Sequence, residues 1–416
     1  MAMAENPWGE GDREIVELIR AARYREAYRL GENAGIRGRW TEGEAANMFG
    51  RLIRGLGARR EADLIHLRAY RRQPGCGGLA IQVGGHIHGV RGPLQAWEFY
   101  GRVIETYRAQ LGETLHGELL AQRAYVAGRW RDFERARDLL DGAVARAPQS
   151  AWVKVQECAV ARLADDFDSA FGHIEEALAM RPFYRPATEW KADLLRDTGH
   201  DDEAVEFVHE ALTQVDSPSL AAILSAIHSE REQHAEALAA IDRYEELSPL
   251  ADKGAARWIA GRRANLNYRM GHYSSVPEFA DASDNDALKE IAEKLRKGEH
   301  EGGKRVKLDV PFVQQHHMTC APATMSALSS FWGQHADHLE IVEEICYDGT
   351  PWASERKWAI GQGYAVREFR VDWETARTLC DRGVPFTLTS TEPTSAHLQA
   401  IIGYDSTAET IIIRDP

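Results

Sequence analysis

GRWRDFERARDLLDGAVARAP at residues 128–148 returns, with its small residues in place, as ADDFDSAFGHIEEALAMRP at 164–182 and GHDDEAVEFVHEALTQVDSP at 199–218. Ala136, Ala170 and Ala204 follow one another at steps of 34 residues, and Ala237 comes after 33. Ala143, Ala177 and Ala211 keep the same step, while Leu140, Ile174, Val208 and Ile241 set a large apolar residue at one phase. Pro148 and Pro182 close their units 34 residues apart. Such a period, with short side chains at constant phase, describes paired antiparallel helices stacked into a solenoid. The short residues recur because helices approach closely only where side chains are short.

This lattice resembles the tetratricopeptide repeat across roughly residues 110–280, and residues 60–74 and 93–107 fit it more loosely as degenerate repeats. Between them lies PGCGGLAIQVGGHIHGVRG (74–92), which lacks a preceding strand and the Gly-Lys-Ser/Thr ending of a phosphate loop. It reads instead as a close-packed helix of an irregular repeat. Ala124, Cys158, Ala192 and Ser225 share one lattice position, so Cys158 is expected to be an inert packing residue. Trp97, Trp130, Trp152, Trp190 and Trp258 read as core or inter-repeat contacts. Asp284–Lys297 is expected to form a capping helix, and the polar, glycine-bearing GEHEGGKRVK (298–307) a linker.

A chain of 416 residues exceeds a single core, in keeping with a repeat domain over 1–297 and a second domain over 308–416. The net charge is −14; residues 305–416 hold 9 basic and 15 acidic side chains, and both parts are acidic. That balance argues against nucleic acid or an anionic membrane surface as the main partner. No apolar run is long enough to insert in a membrane. The start, MAMAENPWGEGDREIVELIR, lacks the basic and apolar regions of a secretory signal. Five scattered cysteines without a CxxC pair suggest reduced thiols in the cytoplasm and no structural zinc.

The second domain opens with VPFVQQHHMTCAPATMSALSSFWG (310–333). Met325, Leu328, Phe331 and Trp332 follow Cys320 at helical spacing, Pro322 suits a first turn, and Gly333 is a stop. Cys320 is therefore expected at a helix N-terminus, whose partial positive charge favours the thiolate. Gln314, six residues earlier, is within reach to form an oxyanion hole with the Cys320 backbone N–H. Downstream, SAHLQAIIGYDSTAETIIIRDP (395–416) reads as a hairpin with its tip near Ser406. In that register His397 on the first strand pairs directly with Asp415 on the second. A thiol, a base and an orienting carboxylate compose a thiol-hydrolase triad.

The order Gln, Cys, His, Asp resembles papain-like cysteine peptidases, and more narrowly the bacteriocin-processing, double-glycine leader peptidase family. The resemblance covers about residues 308–416. It implies Cys320 as nucleophile, His397 as base, Asp415 as its orienting group and Gln314 as oxyanion donor. Where that family often has Asp-Cys-Gly, this chain has Thr319-Cys320-Ala321. His316 and His317 read as a polar loop shaping the cleft wall rather than a metal pair. Cys346 and Cys380 read as packing residues. The segment 347–358 reads as a substrate-facing loop or as core aromatics, with Trp352 or Trp358 as a wall; Trp352 and His317 are the candidate substrate contacts.

The expected fold is multidomain: an all-α, tetratricopeptide-like solenoid followed by an α+β papain-like domain. The expected activity is that of a cytoplasmic cysteine peptidase without cofactor or metal. Its substrate is a protein or peptide recruited by the repeats. The alternatives are a non-enzymatic adaptor, an acyltransferase using the same thiol, and a metal- or redox-linked thiol protein. Whether the domain continues beyond Pro416 is left open.

Overall fold

The computed structural model of the chain describes residues 10–298, 302–391 and 395–416, which form two compact units divided between Asn285 and Asp286. In the first unit the repeated segments become antiparallel pairs. These are Glu113–Arg129 with Phe133–Arg146, Ala151–Leu163 with Phe167–Met180, Arg185–Asp197 with Asp201–Gln214, and Pro218–Glu230 with His234–Leu247. Ala136, Ala170, Ala204 and Ala237 are fully buried, as are Ala143, Ala177 and Ala211. Cys158 is also fully buried, and burial pushes its thiol up to about 12. Gly77–Arg91 is helical, and a Cβ on Gly84 would lie 2.2 Å from the Tyr100 ring. Gly77, Gly78 and Gly84 thus serve close packing.

The turn inside each pair repeats as faithfully as the helices. Arg131, Asp165, Gly199 and Glu232 follow at steps of 34, 34 and 33, with φ of 61°, 61°, 77° and 58°. Three of the four are not glycine and carry the left-handed backbone at a cost of roughly 1 kcal/mol each. Helix docking on both sides of so short a turn imposes that conformation.

The arc of repeats closes on itself. Ile15, Val16 and Ile19 of the first helix share one core with Ala204, Val208, Leu220 and Leu224. Backbone bonds seal the seam. The Asp216 N–H donates to the Ala22 carbonyl at 2.8 Å, and the Leu250 N–H to the Leu56 carbonyl at 2.9 Å. The Asp216 carboxylate accepts from the Arg25 backbone N–H and from its Nε, each at 2.9 Å.

In the second unit β3 (Ala396–Asp405) is the centre of an antiparallel sheet with β1 (Arg305–Lys307), β2 (Phe386–Thr391) and β4 (Thr410–Arg414). Because β4 pairs along one edge of β3 from Ala400 to Asp405, β1 and β2 lie end to end along the other. A Cβ on Gly403 would meet the Val306 carbonyl oxygen at 2.0 Å, so the crossing of β1 requires glycine there. One sheet face buries Ala400 and Ile402 against Val310, Ala327 and Phe331. The other buries Ile401 and Tyr404 against Cys380 and Trp373.

Two boundaries differ from the sequence reading. The helix Asp286–Arg296, expected to cap the repeats, groups with the second unit, where Lys294 pairs with Glu409. The expected linker ends in β1, and its residues 299–301 lie outside the described residues.

Candidate active site

Cys320 begins the helix Cys320–Phe331 and is partly exposed. Pro322 falls in its first turn, where no intrahelical N–H is lost. One turn after Cys320, the Thr324 hydroxyl donates to the Leu398 carbonyl at 3.1 Å. The helix is thereby fixed to β3 at the residue that follows His397.

The segment leading into the thiol is tightly held. Met318 adopts φ 60°, a left-handed conformation uncommon for a non-glycine residue. Thr319 Oγ1 accepts the His316 backbone N–H at 2.8 Å and donates to the His316 carbonyl at 3.2 Å. It also contacts Nε2 of buried His338 at 2.9 Å. Thr319 Oγ1 thus joins the His316 backbone to the buried His338 ring. The His316 ring meets His338 edge-on with centroids 5.2 Å apart. The Cys346 thiol donates to the Met318 carbonyl at 3.4 Å. Cys346, expected as a packing residue, is partly exposed and bonded to this loop, whereas Cys380 is buried in a core.

His397 Nε2 lies 2.5 Å from Asp415 Oδ1. The route to this contact differs from the direct pairing expected. From Asp405–Thr410 to Gly403–Ile412 the hairpin keeps one register, and between Gly403 and Ile401 it shifts by one residue. Without that bulge at Ile402, Asp415 would fall opposite Ala400 and share its face of the sheet. With the bulge, Ala400 pairs with Arg414, so the next residue, Asp415, falls opposite Gln399 on the face of His397. The two side chains meet as diagonal neighbours. Arg414, on the opposite face, donates from Nε to the Val310 carbonyl at 3.2 Å.

Gln314 is half-buried, and its Nε2 donates to the Gln315 carbonyl at 3.3 Å. The neighbouring Gln315 holds a buried Oε1 without a partner among the described residues. His317 is exposed. The segment expected as a loop contains the helix Trp352–Gly361. Its Trp352 is 65% exposed, carries the Arg356 guanidinium at 4.4 Å from the ring centroid, and borders a cavity of about 670 Å³. Met325, Trp332, Trp358, Phe369 and Leu398 line the same cavity, which is mainly apolar. Burial raises the Glu355 carboxyl at its rim.

Sequence reasoning missed His338, the Met318 conformation and the cavity. The signal for His338 was present. Asp337 and Glu340 have capping-box spacing, and the Asp337 carboxylate accepts the Leu339 and Glu340 backbone N–H groups at 2.9 and 3.1 Å. That marks His338 as the first residue of a helix, although not what its ring touches.

Residues 307–416 match the Peptidase_C39 like family. No curated protein matches the chain. Among solved structures it is similar to the Cut9–Hcn1 hetero-tetramer of APC/C, with a TM-score of 0.50 and 8% identity. That match covers 70% of this chain and 57% of the other, so the chain spans little more than half of that length. It is also similar to a tetratricopeptide repeat protein from Parabacteroides merdae (TM-score 0.39, 14% identity), a match covering 63% of this chain and 100% of that one. For yeast Tom70 the TM-score is 0.46 and the identity 13%, with 72% and 68% covered. The first unit is a tetratricopeptide-like helical solenoid, and the second contains a small, sheet-bearing, peptidase-like domain.

Proposed function

We propose that the chain is a cysteine peptidase whose helical repeats recruit a protein or peptide substrate. The observation that carries this reading is the His397–Asp415 contact, on a strand whose next residue is bonded to the helix that begins at Cys320. Asp415 engages Nε2 and so leaves Nδ1 of His397 for the thiol. Cys320 gives its proton to Nδ1, and the sulfur attacks the amide carbonyl carbon. The helix N-terminus and the Cys320 backbone N–H favour the negative charge that develops on oxygen. Collapse breaks the C–N bond while the imidazolium protonates the departing amine, and water then hydrolyses the thioester with His397 again as base.

Gln314 serves as oxyanion donor once its amide leaves the Gln315 carbonyl. The apolar cavity between Trp352 and Leu398 takes a hydrophobic substrate side chain, and His317 edges the loop that the substrate passes. An electrophilic peptide probe with mass mapping tests the reading. Selective labelling of Cys320, lost in His397→Ala, is expected. Uniform labelling of the exposed cysteines, unchanged in that variant, would instead favour the adaptor.

A further inference from the structure

Closure of the repeats bounds a cavity of about 730 Å³ in the first unit, within the size range of small-molecule sites. The first helix of each pair faces it: Glu118, Trp152 and Pro186, at steps of 34, are the inward positions of three successive repeats. Trp152 and Trp190 pack against the core around Cys158 and Ile174, as expected, and also border this cavity.

Several polar groups around this cavity lack the partners they require. Asn47 is only 4% exposed, and its Nδ2 donates to both Glu44 oxygens at 3.0 and 3.1 Å. That fixes the amide orientation and leaves Oδ1 as an acceptor without a hydrogen bond. The Trp152 indole N–H is likewise buried and unpartnered. The hydrogen-bond partner of the Arg51 guanidinium is the Met48 sulfur at 3.9 Å. Among the described residues no carboxylate oxygen lies within 4.0 Å of it. Glu118 accepts from the Ser150 hydroxyl at 2.9 Å. Burial raises the carboxyls of both Glu44 and Glu118, and the Asn47 and Ser150 hydrogen bonds together with the more distant Arg51 charge offset this only in part.

Two carboxylates opposed by burial, with no cation within 4.0 Å among the described residues, and an amide oxygen without a donor call for a cationic N–H group. A guanidinium with no carboxylate within 4.0 Å among the described residues, and an indole N–H without a partner, call for an anionic acceptor. We infer that the ring binds a small zwitterion of the amino-acid or short-peptide class. Its ammonium is held by Glu44, Glu118 and Asn47 Oδ1, and its carboxylate by Arg51 and the Trp152 indole. The Tyr184 and Trp152 rings provide walls for its side chains. This inference stands on the first unit alone and is independent of any peptidase activity.

The test is calorimetric titration of the full-length Cys320→Ala chain, which keeps added peptides from turnover. The ligands are free amino acids, trialanine, N-acetyl-trialanine and trialanine amide. Trialanine or a free amino acid should bind, and blocking either end of the peptide should weaken binding at least about tenfold, the scale of one charge-assisted hydrogen bond. In Glu118→Gln the acetyl block should lose most of its effect, and in Arg51→Gln the amide block should. Binding that ignores both blocks, or no binding by any of the unblocked ligands, overturns the inference. The blocked-ligand comparison in the parent chain holds even if a variant fails to fold.

Discussion

Asp415 Oδ1 reaches His397 Nε2 at 2.5 Å although the strand register sets Asp415 opposite Gln399, one alternation away from His397. The shift at Ile402 makes the contact, because it reverses which face of the sheet the end of β4 presents. A hairpin without the bulge would bury the same carboxylate's position on the side of Ala400.

Asp415→Ala should lower peptide turnover by up to about 10⁴, the scale for losing an orienting group that fixes the histidine tautomer. Both side chains are substantially exposed, so thermal stability should change little. Steady-state kinetics beside a melting curve checks this; wild-type turnover in the variant would remove Asp415 from the mechanism.

The five thiols should separate by reactivity. Cys158 is fully buried and pushed up to about 12, and burial also raises Cys380 and Cys76. Timed alkylation of native protein with peptide mapping should find Cys320 first and Cys158 last. Modification of Cys158 at the rate of Cys320 would contradict the packing described.

His338→Ala should slow Cys320 alkylation several-fold by freeing the Thr319 hydroxyl, which leaves the strained Met318–Thr319 backbone less well held. His338→Gln keeps a donor and should recover part of the rate, while Thr319→Val should match His338→Ala. The parental rate in all three variants would show that the hydrogen bond has no bearing on the thiol.

Acid should destabilise the first unit through His66. The ring is buried, its Nε2 meets the Asn47 carbonyl at 3.2 Å, and burial pushes it down to about 4 from its ordinary 6.5. A depressed histidine stabilises the fold fully above pH 6.5, and that contribution is lost as pH falls through 4. The difference amounts to about 3 kcal/mol at most. Denaturant midpoints from pH 7 to 4 should therefore fall less steeply in His66→Gln than in the parent chain. Parallel slopes would show that His66 is not the sensor.

Much of the first unit was legible because repeat packing is local. Each small residue at Ala136, Ala170 or Ala204 meets only its neighbouring helices, so the period records the contact directly. Gln, Cys, His and Asp were legible as types in order, and Cys320 at a helix start follows from the pattern of apolar residues after it. Tertiary structure decided the rest. Closure of the ring sums small rotations over many repeats and joins Ala22 to Asp216, residues whose sequence neighbourhoods show no sign of each other. The bulge at Ile402 inserts one residue into a uniformly apolar strand, where alternation cannot reveal a change of face. The His338 contact depends on two helix starts meeting in space. Sequence alone determined the repeat helices and the helix that starts at Cys320; long-range packing decided which side chains face one another, because orientation across a fold depends on offsets that no local pattern encodes.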